Sequence, residues 1–210
     1  THPSQTASDR VRIGILALAA GRSQRFGADK RFARLADGQS VLDLFLVRAQ
    51  ASGLPILLCL AEHEVELAGK LSGERVQCVL CRRSIEGMGG TLAEGVTRIP
   101  GWDGALVALA DMPWVRPDTY RCLAGRLGPG KICVPTIAGV RGHPVGFSSA
   151  YFDEMSRLGG DSGARSVIAR HPQAIEEVAV DDPAIRIDID RPADLHVLSR
   201  RSSASRSGGL

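Results

Sequence analysis

Residues Leu18 to Lys30 read L-A-A-G-R-S-Q-R-F-G-A-D-K and follow directly on an apolar run, Val11 to Ala17 (V-R-I-G-I-L-A). The run predicts a buried first strand, and the segment after it decides the class of fold. Ala19, Ala20 and Gly21 are small enough for a tight turn and for close approach of the backbone to a ligand. Arg22, Arg25 and Lys30 then place three cations on one short loop at the C-terminal end of that strand. In open α/β sheets this is the end where ligands bind. Backbone N–H groups together with cations describe a cradle for polyphosphate. Neither the Walker A spacing nor G-x-G-x-x-G occurs in the chain, so the cradle is of another kind.

Outward from this segment, apolar runs alternate with helical patterns. Ser40 reads as the N-cap of a helix with Asp43 in its first turn, a buried stripe of Val41, Leu42, Phe45 and Ala49, and Gly53 at its end. Strands are expected at Ile56 to Leu60, Val76 to Leu80, Ala105 to Ala110, Ile132 to Ile137 and Glu177 to Val180. Helices are expected at Glu64 to Leu71, Thr91 to Ile99, Pro117 to Leu127 (with Pro at N1), Ala150 to Leu158, Ser162 to Ala169 and Pro192 to Leu198. Between Ile137 and Ala150 the pattern breaks into turns and short segments. Continuous apolar strands alternating with helices imply an α/β fold, a single Rossmann-like domain with a mainly parallel sheet and helices on both faces. It spans residues 11–198, and residues 1–10 and 199–210 read as disordered tails.

Two hundred and ten residues, 44% hydrophobic and 23% charged, suit one soluble domain of the larger sort. The net charge of +3 sits in the tail, where Arg200, Arg201 and Arg206 meet no acid. A neutral body of this kind argues against a nucleic-acid surface. The five cysteines (Cys59, Cys78, Cys81, Cys122, Cys133) are odd in number and mostly lie in apolar runs, which points to reduced thiols and a cytoplasmic setting. Cys78 and Cys81 form a C-x-x-C, but on a strand they face opposite ways, and no second pair completes a zinc site. No apolar run approaches the roughly 18 residues of a membrane span. The opening T-H-P-S-Q-T-A-S-D lacks the basic and apolar regions of a signal peptide.

Further segments carry possible chemistry. In G-A-L-V-A-L-A-D-M-P-W-V, Asp111 ends a buried strand and Pro113 stops it, setting a carboxylate on the sheet edge that carries Gly21. Magnesium on nucleotide phosphates uses one or two carboxylates, so Asp111 is the leading metal ligand, with a turn cap as its plainer role. Ile185 to Leu195 reads I-R-I-D-I-D-R-P-A-D-L, in which Asp190 alone would serve as cap for the helix at Pro192. Gly87-Met88-Gly89-Gly90-Thr91-Leu92 reads as a glycine-rich loop with Thr91 capping the next helix. In G-V-R-G-H-P-V-G-F (139–147), a lone His143 before a rigid Pro144 suits orientation better than proton transfer. In G-D-S-G-A-R (160–165), Asp161 reads as a helix cap and Arg165 as a surface residue.

Taken together, these segments resemble the MobA-like nucleotidyltransferases, and within them the molybdenum cofactor cytidylyltransferases. The first segment is similar to L-A-A-G-x-S-x-R-M-G-x-x-K, with Phe26 in place of Met. The others resemble L-x-D-M-P, G-M-G-x-S-L (with Thr91 for Ser), G-x-R-G-H-P-V, G-D-x-G-A-R and D-I-D-T-P-E-D-L (with Arg191 for Thr and Ala193 for Glu). They run in family order from residue 13 to about 198. The resemblance implies a fold of the nucleotide-diphospho-sugar transferase type. It also implies transfer of CMP from CTP to the phosphate of a molybdopterin-type molybdenum cofactor, with release of pyrophosphate.

By that likeness Leu18, Ala19, Ala20, Gly21, Arg22, Arg25, Lys30, Gly87, Met88, Gly89 and Thr91 bind the nucleotide. Lys30, Arg25 and Asp111 act in catalysis. Mg2+ is held by Asp111 and by Asp190 or Asp188, Asp190 matching the position beside the T-P pair. Arg141, His143, Asp161 and Arg165 face the acceptor. A molybdoenzyme receiving the product is an implied partner; nucleic acid and membrane are not. The transfer needs positioning and charge neutralisation, not a general base, because the acceptor phosphate is already anionic. Rivals are guanylyl transfer from GTP, whose enzymes usually read L-A-G-G where this chain has L-A-A-G, transfer to another small phosphate acceptor, and a non-catalytic nucleotide or pterin carrier.

Overall fold

The opening apolar run forms β1 (Ile13–Leu18), every residue of which is buried. The computed structural model describes residues 11–21, 26 and 28–196, so the expected tails lie outside the described residues. From β1 the chain passes through α1 (Val41–Ala51) to β2 (Ile56–Ala61), then through α2 (Val65–Leu71) to β3 (Val76–Cys81). It continues through α3 (Met88–Val96) to β4 (Gly104–Leu109) and through α4 (Pro117–Arg126) to β5 (Ile132–Ile137). β6 (Val140–Arg141) turns back on β5 as a hairpin, and β7 (Val145–Ser148), the short helices α5 (Phe152–Met155) and α6 (Arg165–Arg170) and finally β8 (Ile175–Ala179) follow.

The sheet has eight strands in the order β3-β2-β1-β4-β7-β5-β6, with β8 also paired to β5. β1, β2, β3 and β4 are mutually parallel, and β8 runs parallel to β5. β1 sends the chain outward to β2 on one side, and its other neighbour is β4, so strand order reverses between β1 and β4. A crevice opens at such a switch point, beyond the carboxyl ends of the two strands.

Local sequence explains the elements. Ser40 caps α1, its hydroxyl accepting from the Asp43 N–H at 3.1 Å, and Gly53 at φ +82° takes the left-handed turn just after Ser52 ends the helix. Helices cover both faces, as the alternation predicts. Leu42 and Phe45 of α1 with Tyr120 and Leu123 of α4 fill one side, and Leu92 of α3 with Met155 of α5 and Val167 of α6 fill the other. No helix among the described residues is long and apolar enough to cross a membrane. Cys59, Cys81 and Cys133 are buried, Cys78 is half-buried and Cys122 is exposed on α4; all are free thiols.

The departures from expectation concentrate late in the chain. β7 lies between β4 and β5, antiparallel to both, where the pattern reads only as turns and short segments. Its V-G-F-S sequence is short and interrupted by glycine, but burial on both faces supplies what propensity lacks. The helix expected over 150–158 is a 3-10 turn followed by four α-helical residues, and the one expected at Pro192 is a 3-10 turn to His196. β8 starts at Ile175, two residues earlier than its apolar pattern indicates.

One buried carboxylate ties this late region to the rest. Asp182, 2% exposed, accepts from the Arg116 N–H at 2.8 Å, the Thr119 hydroxyl at 2.7 Å and the Ala184 N–H at 3.1 Å. It caps α4 from a distance and anchors the strand end that leads toward Asp188. Asp182→Ala strands these donors in the interior, and a loss of about 3 kcal/mol in urea unfolding is expected. A loss under about 1 kcal/mol would show that water replaces the carboxylate.

Candidate active site

Leu18 and Leu109 are register partners at the ends of β1 and β4, so Ala19–Gly21 and Ala110–Asp111 leave the sheet side by side. Between them opens a cavity of about 440 Å³, a size that suits a small ligand. Leu18, Ala19, Ala20, Gly21, Lys30, Asp111 and Asp190 all line it. Lys30 stands on a 3-10 turn, Lys30–Phe32, that Asp29 caps through the Arg31 N–H at 3.1 Å.

The Lys30 ammonium bridges two carboxylates. Nζ donates to Asp111 Oδ2 at 2.7 Å and to Asp190 Oδ1 at 3.3 Å. Burial works against its charge, but Asp111 and Asp190 outweigh that penalty and hold the Lys30 pKa above the ordinary lysine value. The other Asp111 oxygen, Oδ1, is buried without a hydrogen-bond partner among the described residues.

Asp190 is set by its neighbours. Ile189 is fully buried, and its N–H donates to the Asp111 carbonyl at 2.9 Å, which locks the strand end beside the metal-ligand candidate. The capping role open to Asp190 falls instead to Asp194, whose carboxylate accepts from the Asp190 N–H at 3.0 Å and the Arg191 N–H at 2.7 Å. The Asp190 side chain is thereby left to Lys30. Asp188 stands outside the cavity lining, and burial, then the charges of Asp190 and Asp111, raises its pKa above the usual carboxylate value.

Among the described residues no group of three or more His, Cys, Asp or Glu gathers around one point. Two carboxylates with one orphaned oxygen still fit magnesium, which keeps waters and takes its remaining ligands from substrate phosphates. Arg22 and Arg25 lie outside the described residues.

The opposite wall corrects one expectation. Gly87 to Leu92 is not a loop capped by Thr91: α3 begins at Met88, and the Thr91 hydroxyl donates back to the Gly87 carbonyl at 3.3 Å from inside the first turn. The glycines serve close packing instead. Gly87 has φ +105°, and a Cβ there would lie 2.0 Å from Asp161 Oδ1; at Gly89 it would lie 2.5 Å from the Gly159 carbonyl. The Gly89 N–H donates to the Gly160 carbonyl at 2.6 Å, and this contact carries Asp161 into the cavity beside Gly87, Met88 and Thr91.

The remaining acceptor candidates are less closely gathered. His143 donates its backbone N–H to the Ile185 carbonyl at 2.8 Å, and its Nδ1 is buried without a partner among the described residues. Burial pushes its pKa down, Arg165 adds to that, and Asp111 and Asp188 oppose it. Arg165 starts α6 within electrostatic reach of His143. Arg141 lies on exposed β6, paired with Glu177 at 2.8 Å, and the structure does not bring it to the cavity wall. Sequence reasoning missed Arg31, Ser84, Ile85 and Glu86, which also line the cavity. Arg31 had one signal, its position directly after Lys30; the others lie in a 3-10 turn without a motif.

The profile of the MobA-like NTP transferase domain matches residues 15–175, the span from β1 to the start of β8. The chain belongs to the MobA-like NTP transferase family. The MobA-like fold is shared with the solved structure of Rv0371c from Mycobacterium tuberculosis H37Rv, at 31% identity and a TM-score of 0.73 over 90% of this chain and 98% of that one. The same mycobacterial protein has been solved in complex with manganese, at 27% identity and a TM-score of 0.73 over 90% of this chain and 97% of that one. A Methanothermobacter nucleotidyl transferase, 21% identical, shares the fold with a TM-score of 0.75 over 94% of this chain and 99% of that one. Among curated proteins none matches the chain. As a MobA-like transferase the protein is a nucleotidyltransferase and takes a nucleoside triphosphate.

Proposed function

We propose that this MobA-like transferase moves CMP from CTP to the phosphate of a molybdopterin-type molybdenum cofactor and releases pyrophosphate. The observation that carries the reading is the Lys30 ammonium held between Asp111 and Asp190 in a cavity walled by Ala19, Ala20 and Gly21. The three residue types a metal-bound triphosphate needs meet there: small backbone, cation and paired carboxylates.

In this reading the acceptor phosphate oxygen attacks the α-phosphorus in line as the bond to pyrophosphate breaks. Backbone N–H groups of Ala20 and Gly21 and the Lys30 ammonium, with Arg22 and Arg25, neutralise the phosphates. Asp111 and Asp190 are the residues that would hold Mg2+, which when bound supplies charge neutralisation across the reacting phosphate oxygens. Gly87, Met88 and Thr91, which line the cavity, face the base and ribose, and Gly89 packs behind them against Gly159. Asp161, His143 and Arg165 face the acceptor, and His143 orients it; Arg141, paired with Glu177 on exposed β6, stands away from the cavity wall. Support for cytidine comes from likeness alone: Ala20 in L-A-A-G, G-M-G-G-T and R-G-H-P-V. A molybdoenzyme would take up the product.

Pyrophosphate release across four nucleoside triphosphates, with and without molybdopterin and Mg2+, tests the reading. Release with CTP and molybdopterin only is the expected result. Preference for GTP reassigns the base, release without molybdopterin but with another phosphate reassigns the acceptor, and tight binding with no release makes the protein a carrier.

A further inference from the structure

Arg31 lines the same cavity beside Lys30, yet its bonds all run into the protein. Its side chain is 11% exposed and sits among three separate stretches of chain. Nε donates to Asp29 Oδ1 at 2.9 Å and Nη2 to Asp29 Oδ2 at 2.5 Å. Nη1 donates to the Ala19 carbonyl at 2.7 Å and to Glu64 Oε2 at 3.0 Å, and Nη2 reaches Glu64 Oε1 as well. Glu64 in turn accepts from the Ala61 N–H at 2.7 Å, which fixes it to the end of β2.

A guanidinium has five N–H donors, and here all five are used. Burial opposes its charge, and Asp29 and Glu64 more than restore it, so its pKa stands above the ordinary arginine value. With no donor left over, Arg31 cannot be a phosphate ligand in this arrangement. Its charge is matched by Asp29 and Glu64, and Lys30 is the neighbouring cation that faces the cavity.

We propose that Arg31 is a positioning residue, a five-bond clamp that fixes the Ala19–Gly21 backbone and the Lys30 turn in one register for a nucleoside triphosphate. It rests on the reading of the cavity as a triphosphate site. The clamp joins the residue after β1, the residues after β2 and the turn carrying Lys30, three stretches that no covalent neighbourhood holds together. Its planar fork is needed because two carboxylates and a carbonyl must be met at fixed angles, which a lysine ammonium with three donors cannot do.

Calorimetric titration of Mg2+-CTP, Mg2+-GTP, CMP and GMP into the parent protein, Arg31→Lys and Glu64→Gln tests this. For the triphosphate that the parent binds, Arg31→Lys is expected to lose about 30-fold in affinity, within the range of second-sphere substitutions. The matching monophosphate should change less than about threefold, because it lacks most of the phosphate contacts the clamp aligns. Glu64→Gln keeps an acceptor for the Ala61 N–H and removes one arm of the fork, so a loss of about fivefold with an unchanged melting midpoint is expected. Unchanged triphosphate affinity in either folded variant overturns the proposal, and so does an equal loss for triphosphate and monophosphate, which marks general collapse. If Arg31→Lys does not fold, Glu64→Gln alone decides. A parent protein that binds no triphosphate overturns the cavity reading and this role with it.

Discussion

Lys30→Ala is expected to cut nucleotidyl transfer by about three orders of magnitude, in line with the loss of a preorganised charge at a reacting phosphate. Stability should change little, because Asp190 is half-exposed and water can replace part of the lost pairing. The same substitution should move metal binding the opposite way. Without a nucleotide the ammonium occupies the two carboxylates that are the metal candidates, at 2.7 and 3.3 Å. Removing it should tighten Mn2+ binding to the nucleotide-free protein on the order of tenfold, readable by the loss of the free-ion electron paramagnetic resonance signal. In the parent, a triphosphate supplies the alternative partner for Lys30 and so frees the carboxylates. Activity near the parental level, or Mn2+ binding that weakens, would sink the assignment of Lys30.

The legible parts of the fold are those whose signal is local. β1, β2 and β4 are continuous apolar runs because they are buried on both faces, and α1 announces itself by Ser40, its stripe and Gly53. The ends of β1 at Leu18 and of β4 at Leu109 are readable for the same reason: each is a strand terminus followed by residues that cannot continue the strand. What the sequence could not display is pairing across distance. β7 exists because β4 and β5 flank it, not because V-G-F-S favours a strand.

The glycine-rich stretch failed for a related reason. Gly87, Gly89 and Gly90 read as a loop before the helix, but residues 159–161 and the Arg83 carbonyl press against them where α3 already begins. Likewise the Arg31 clamp spans 33 residues to Glu64, and the capping of Asp190 and Arg191 by Asp194 is settled only once Ile189 is anchored to Asp111. Lys30, Asp111 and Asp190, which meet in the cavity, are visible in the sequence; the residues that hold them are not.

Asp111→Asn is expected to cost the most among the carboxylates, about 10³-fold in transfer or more. Asparagine keeps the shape but removes the charge facing Lys30, and it turns one oxygen into a donor that cannot pair with an ammonium. The buried, unpartnered Oδ1 also loses its negative charge, so Mn2+ affinity should fall together with activity. Asp190→Asn should follow at about 10²-fold, since its side chain is half-exposed and water can take over part of its role. Asp188→Asn should cost less than tenfold, because Asp188 stands outside the cavity lining, where burial first, and Asp190 and Asp111 after it, raise its pKa. The order of the three variants in Mn2+ affinity therefore names the second ligand. If Asp188→Asn weakens Mn2+ more than Asp190→Asn, the pair is Asp111 with Asp188, and the Lys30–Asp190 contact is a surface ion pair beside the site. If Asp111→Asn binds Mn2+ as the parent does, the orphaned oxygen serves another partner and the metal lies elsewhere.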